Sequence, residues 1–284
     1  MDGGVDAAGL TSSSGGDRIA SRITIADIAT IDRVADRFEG WRADNMQPVS
    51  TRFGAISIVI ASLAGFVWIA LEFVQPSLGF DDTDNPAVTL QFLADHRDVW
   101  ANAGFVLLAM AIALAAATFS VADVLAPRSN SLTVRFISVF GLLAAASFFM
   151  FGVLRSASGP VLYIDGLRHE WGQSAFLVIQ MVGVHGFAQA GLLAFCLWAV
   201  SISVVGFRSR ALPRAVCLLG LLPAIRVVLL MLGSAGRLDT LPDALWVVAM
   251  IAIPGTFLWS LILGLVLLRR SLRPSAAQQA AAMA

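Results

Sequence analysis

Two side chains in this sequence stand where a lipid-spanning helix rarely places them. His185 lies in "IQMVGVHGFAQAG" and Arg226 in "LLGLLPAIRVVLLML", each near the middle of an otherwise apolar run. An ionisable group at that depth costs about 3 kcal/mol or more, so it pairs with something or lines a wet cavity. An imidazole can take or give a proton, and a guanidinium can grip an anionic or carbonyl oxygen. Glu72 closes the first apolar run, Gln189 follows His185 by one turn, and Gln180 lies on the other side of it. Pro223 stands one turn before Arg226, and Pro254-Gly255 interrupts the last run. A proline leaves a backbone carbonyl unpaired, which lipid tolerates only where a neighbour, water or ligand satisfies it. The expectation is a pocket in which Arg226, His185, Glu72 and Gln189 bind a ligand, with Pro223 and Pro254 as helix breaks lining it. The alternative is an Arg226–Glu72 salt bridge, a hydrogen-bonded His185 and two ordinary kinks.

Other constellations carry less. His96 and His169 with Asp95, Asp98, Asp165 and Glu170 lack HExxH or comparable spacing, and read as surface residues rather than a metal site. Asp81, Asp82 and Asp84 are too few ligands for calcium. Haem would need axial ligands on facing helices, and only one His falls in an apolar run. "RSASGP", with Ser156 and Ser158, has no later His to serve as a base, since His185 is the last in the chain. No metal and no cofactor are expected.

The elements that must position these residues are set by composition. Of 284 residues, 58% are hydrophobic and 13% charged, against about 25% charged in soluble domains. This is membrane composition. The formal net charge of zero gives no reason to expect a nucleic-acid partner. Cys196 and Cys217, inside or at the edge of apolar runs with no CxxC, read as unpaired core thiols. The first apolar run follows roughly fifty polar residues and is too long for a signal-peptide core, so it reads as a retained signal anchor.

Residues 1–23 are Gly/Ser/Asp-rich and read as a disordered tail. Residues 24–42 place Ile28, Ile31, Val34, Phe38 and Trp41 on one helical face, so 24–50 reads as a juxtamembrane amphipathic helix and linker. That helix suits packing, the inner leaflet or a protein partner. Six apolar runs follow, at about 54–74, 103–126, 134–155, 174–200, 212–233 and 244–268. Each reaches the roughly 20 residues that cross a bilayer.

Arg42, Arg52, Arg128, Arg135, Arg208, Arg210, Arg214, Arg269, Arg270 and Arg273 flank one side. Arg97, Arg155, Arg168 and Arg237 flank the other, where Trp100, Trp171 and Trp246 open three of the helices. The positive-inside rule then places both termini in the cytoplasm. Arg52, Arg135 and Arg214 recur at intervals near eighty, which the same rule accounts for without an internal repeat. Asn85 and Pro86 predict a short outer helix over 86–97. Residues 273–284 read as a second disordered tail. The fold expected is therefore all-α integral membrane, six transmembrane helices over 51–272, N-in/C-in, in a bacterial inner membrane.

With this threading, "LLAFCLWAVSISVVGFRSRALPRAVCLLGLL", "AIPGTFLWSLILGLVLLRR" and "NPAVTLQFLADHRDVW" resemble a broad bacterial family of six-helix membrane proteins of unknown function. The resemblance spans roughly residues 52–270, and the longer N-terminal extension departs from it. It implies the fold and leaves function open. The leading expectation is a binding or accessory protein with an outer-half polar pocket for a small amphiphile. A protein partner would dock through residues 24–42. An enzyme acting on a lipid-like substrate is the alternative, with Glu72 or His185 as acid/base and Arg226 as the electrophilic anchor. A small-solute transporter built on the broken fifth and sixth helices is the third reading.

Overall fold

The computed structural model describes residues 51–74, 78, 86–165, 169–225, 227–228 and 243–272. The tails, the amphipathic segment 24–42, the acids and Asn85 ahead of Pro86, Arg226 and Arg237 lie outside the described residues. All regular structure among the described residues is helical. In chain order the helices are α1 (Thr51–Val74), α2 (Pro86–Asp95), α3 (Arg97–Leu125) and α4 (Ser131–Asp165). Then come α5 (Glu170–Gln180), a π-helical segment (Met181–Ala188), α6 (Gln189–Arg208), α7 (Arg214–Leu219) and α8 (Asp243–Ser271).

Five stretches are long and apolar enough to cross a membrane: Thr51–Val74, Arg97–Leu125, Ser131–Ala157, Trp171–Arg208 and Ile251–Ser271. Arg214–Ile225 is apolar but shorter. In hydrocarbon every backbone N–H and C=O must be bonded within the chain, so long apolar runs become helices. The outward faces are as apolar as the core. On α3, Phe105, Ile112 and Phe119 recur every seven residues and are exposed, while Leu107, Met110, Leu114, Ala117 and Val121 are buried. Water-soluble proteins rarely show an apolar surface that extensive; here it is the surface that meets lipid.

Several helices run past the apolar stretches that mark them. The third run ends at Arg155 by hydropathy, yet α4 continues to Asp165. The fourth begins near 174, yet helix starts at Glu170. Nearby, α2, the start of α3 and α5 make a small cap in which Leu90, Leu93, Trp100 and Phe176 form a cluster of their own.

The main core joins α1, α3, α4, α6, α7 and α8. Small residues bring the backbones close, as is usual where lipid gives no hydrophobic drive between helices. A Cβ on Gly104 would meet the Ser156 backbone nitrogen at 2.8 Å, so α3 and α4 touch there. Between α1 and α8, the Ser62 and Ser260 hydroxyls lie 2.7 Å apart, buried. Trp198 of α6 meets Trp259 of α8 edge to face at 6.2 Å.

The helices expected to break do so unequally. At Pro223 the break is present: α7 stops at Leu219, Gly220–Leu222 form turns, and Leu222 N–H reaches back only three residues to Leu219 O. At Pro254 there is no interruption, because α8 runs straight through it. The longest departure is the π segment, which no hydropathy pattern marks.

Candidate functional site

At the end of the bundle away from the arginine-rich flank, α1 and α4 bring two opposite charges together. Glu72 sits about 30 Å along α1 from Thr51, close to the thickness of a bilayer's hydrocarbon. Trp68, one turn earlier on the same face, donates its indole N–H to Glu72 Oε1 at 2.8 Å. Arg155 Nη1 donates to the same oxygen and closes the ion pair.

Arg155 is 3% exposed. Its guanidinium lies over the Trp100 ring, 3.9 Å from the centroid, with Phe151 at 5.9 Å. Cation–π contact of this kind strengthens as water is excluded. Trp68 packs edge to face on Phe148 and Phe151, at 6.1 and 6.5 Å. The aromatic box therefore holds the cation in place, and the cap cluster holds Trp100.

The box does not satisfy the cation. Arg155 Nε and Nη2 are buried and have no hydrogen-bond partner among the described residues. Glu72 is less enclosed, with its side chain 37% exposed. The site thus pairs a sealed donor group with an acid that reaches the surface.

Arg155 corrects the sequence reading in two respects. It was placed among the flanking arginines of the far side, yet it lies inside α4 and out of solvent. The Glu72 carboxylate meets Arg155, 83 residues along the chain, a pairing absent from the sequence reading, while Arg226 lies outside the described residues. A run of Arg-Ser-Ala-Ser-Gly-Pro looks like a loop to any hydropathy reading, which hid the desolvation. The Trp68–Glu72 spacing of four was visible in the sequence and was the usable signal.

Among the described residues no hydrogen bond or ion pair joins His185 or Gln189 to this pair. Gly183 faces Phe151 and Leu154, so the π segment passes at the level of the site. His185 nevertheless points away, exposed and without a hydrogen bond or ion pair among the described residues. Gln189 has its side-chain oxygen buried without a partner among the described residues. Pro223 is buried and Pro254 half-buried. Ser156 donates its hydroxyl to Gly152 O at 2.8 Å, as helix serines commonly do. In the cap, His96 stacks on Phe92 at 4.4 Å, His169 on Trp171 at 6.1 Å, and Gln91 donates to Asp95 at 3.2 Å.

Long apolar helices, lipid-facing side chains and a desolvated ion pair at one rim define a multi-pass membrane protein. Its family follows from comparison with family models. Residues 53–274 match the domain of unknown function DUF4386, and the chain belongs to that family. The match covers the same six-run region in which the resemblance was read. No curated protein and no solved structure matches the chain.

Proposed function

We propose that this is a six-span inner-membrane protein that binds a small amphiphile at the Glu72–Arg155 site, near the outer face. The carrying observation is the buried Arg155 with two donors unoccupied at bilayer-rim depth. Unpaired buried donors cost about 1–3 kcal/mol each, so a natural occupant that supplies acceptors would be held there. Exposed apolar side chains around the rim offer the same ligand a place for its tail.

Orientation rests on the ends of the bundle. Arg52 Nε donates to Ser271 O at 3.1 Å, and Arg270 donates to Ala211 O, so the termini of α1, α8 and the α6–α7 turn gather at one end. Arg52, Arg135, Arg208, Arg210, Arg214, Arg269 and Arg270 are all exposed there. The positive-inside rule supports a cytoplasmic assignment for that end and for both termini. The sixth span is the one that Arg214–Ile225 begins. Gln189 and Arg226 are the next proposed contributors, and residues 24–42 the proposed docking segment for a partner.

The test is mass spectrometry of small molecules that co-purify in mild detergent with the wild type and with Arg155→Leu. The expected result is a specific amphiphile in the first and its loss from the second. Identical profiles of bulk lipid would sink the binding role.

A further inference from the structure

We infer that the ligand of this site is a zwitterion, with an oxyanion for Arg155 and an ammonium for Glu72. The inference rests on the binding role proposed above and adds the chemistry of the head group. Nε and Nη2 lie on the same edge of a guanidinium, and their N–H bonds run parallel. In Arg155 it is this edge that has no hydrogen-bond partner among the described residues, while Nη1 is used by Glu72. A parallel pair of donors matches two oxygens on one carbon or one phosphorus, the bidentate geometry that arginine prefers. A single ether or ester carbonyl would fill only half of it.

Charge then selects further. Arg155 and Glu72 already cancel, so a bare carboxylate or phosphate would leave one net negative charge in a dry, aromatic-walled site. An ammonium carried by the same ligand removes that excess. The partly exposed Glu72 carboxylate is the acidic group beside it. Phosphoethanolamine heads and amino-acid-type heads share this pattern of charges a few bonds apart. Nε and Nη2 are closed to solvent in this conformation, with Trp100 stacked over the guanidinium and Leu90 and Leu93 packed on Trp100. Loading therefore involves displacement of the α2 cap.

The experiment uses the full chain in nanodiscs and reads thermal unfolding. Wild type in phosphatidylglycerol is compared with the same discs carrying phosphatidylethanolamine or phosphatidylcholine, and with soluble phosphoethanolamine added. The expected result is a rise of several degrees with phosphatidylethanolamine and little with phosphatidylcholine, whose quaternary ammonium has no N–H for Glu72. Arg155→Lys, which keeps a cation for Glu72 but loses the parallel edge, should abolish the rise. If that variant does not fold, Glu72→Gln serves, and should erase the preference for phosphatidylethanolamine over phosphatidylglycerol. An equal rise with soluble phosphoethanolamine would make the ligand a free zwitterion rather than a lipid. Equal stabilisation by phosphatidylglycerol alone, or an unchanged response in Arg155→Lys, would overturn the inference. A co-purifying amphiphile without a zwitterionic head would overturn it too, while leaving the binding role intact.

Discussion

Arginine does opposite work at the two ends of this bundle. At the arginine-rich end, Arg52 and Arg270 are exposed and spend one N–H each on backbone carbonyls at Ser271 and Ala211. Those carbonyls belong to a helix end and a turn, where lone pairs have no helical partner and a cation is favoured. Water completes the hydration of the rest of the side chain, so these residues need no counter-charge. At the other end, Arg155 has lost its water and requires Glu72, Trp68 and Trp100 around it. The same residue type marks a side of the membrane in one place and builds a site in the other. What separates them is desolvation.

The comparison can be broken most sharply at Glu72. Glu72→Leu leaves Arg155 buried without its counter-charge and should destabilise the fold by about 3–5 kcal/mol, read by reversible unfolding in mixed detergent. A loss below about 1 kcal/mol would mean that water reaches the guanidinium. Gly220→Ala comes next and probes packing rather than charge. Its new methyl would meet Ser203 Oγ at 1.9 Å and Trp259 Nε1 at 2.4 Å, for an expected loss of about 1–3 kcal/mol in the same assay. Trp259→Phe removes the 2.9 Å bond from the indole N–H to Val216 O and should cost about 1 kcal/mol. Smallest is Arg52→Gln, about 0.5 kcal/mol. A loss at Arg52 as large as at Glu72 would erase the distinction between the two ends.

Much of the scaffold was legible from composition and hydropathy. The apolar run at 54–74 became α1 at Thr51–Val74, and the proline at 86 marked the start of α2 at Pro86–Asp95. Hydropathy sees only what lipid covers, however, so it stopped short at the C-terminal end of α4 and the N-terminal end of α5. That Glu72 needs partners was legible, because an acid in an apolar run has no inexpensive explanation. Arg155 was not, because its desolvation comes from Trp100 on α3 and Glu72 on α1, and neither is near it in sequence. His185 was read as paired or cavity-lining because of its depth in an apolar run; it lies in the π segment, with its side chain exposed.

That π segment fixes more than one histidine. It joins α5, which belongs to the cap, to α6, which belongs to the core, within a single continuous rod. Each residue of an α-helix advances the azimuth by about 100°. The wider loops of a π-helix therefore set the angular offset between the two halves. Phe176 faces the cap cluster and Phe195 the Phe148 ring, at 6.4 Å, under one such offset. With one residue fewer between Met181 and Ala188, the rod would keep its length to within about 2 Å, yet its upper half would be out of phase with its lower half.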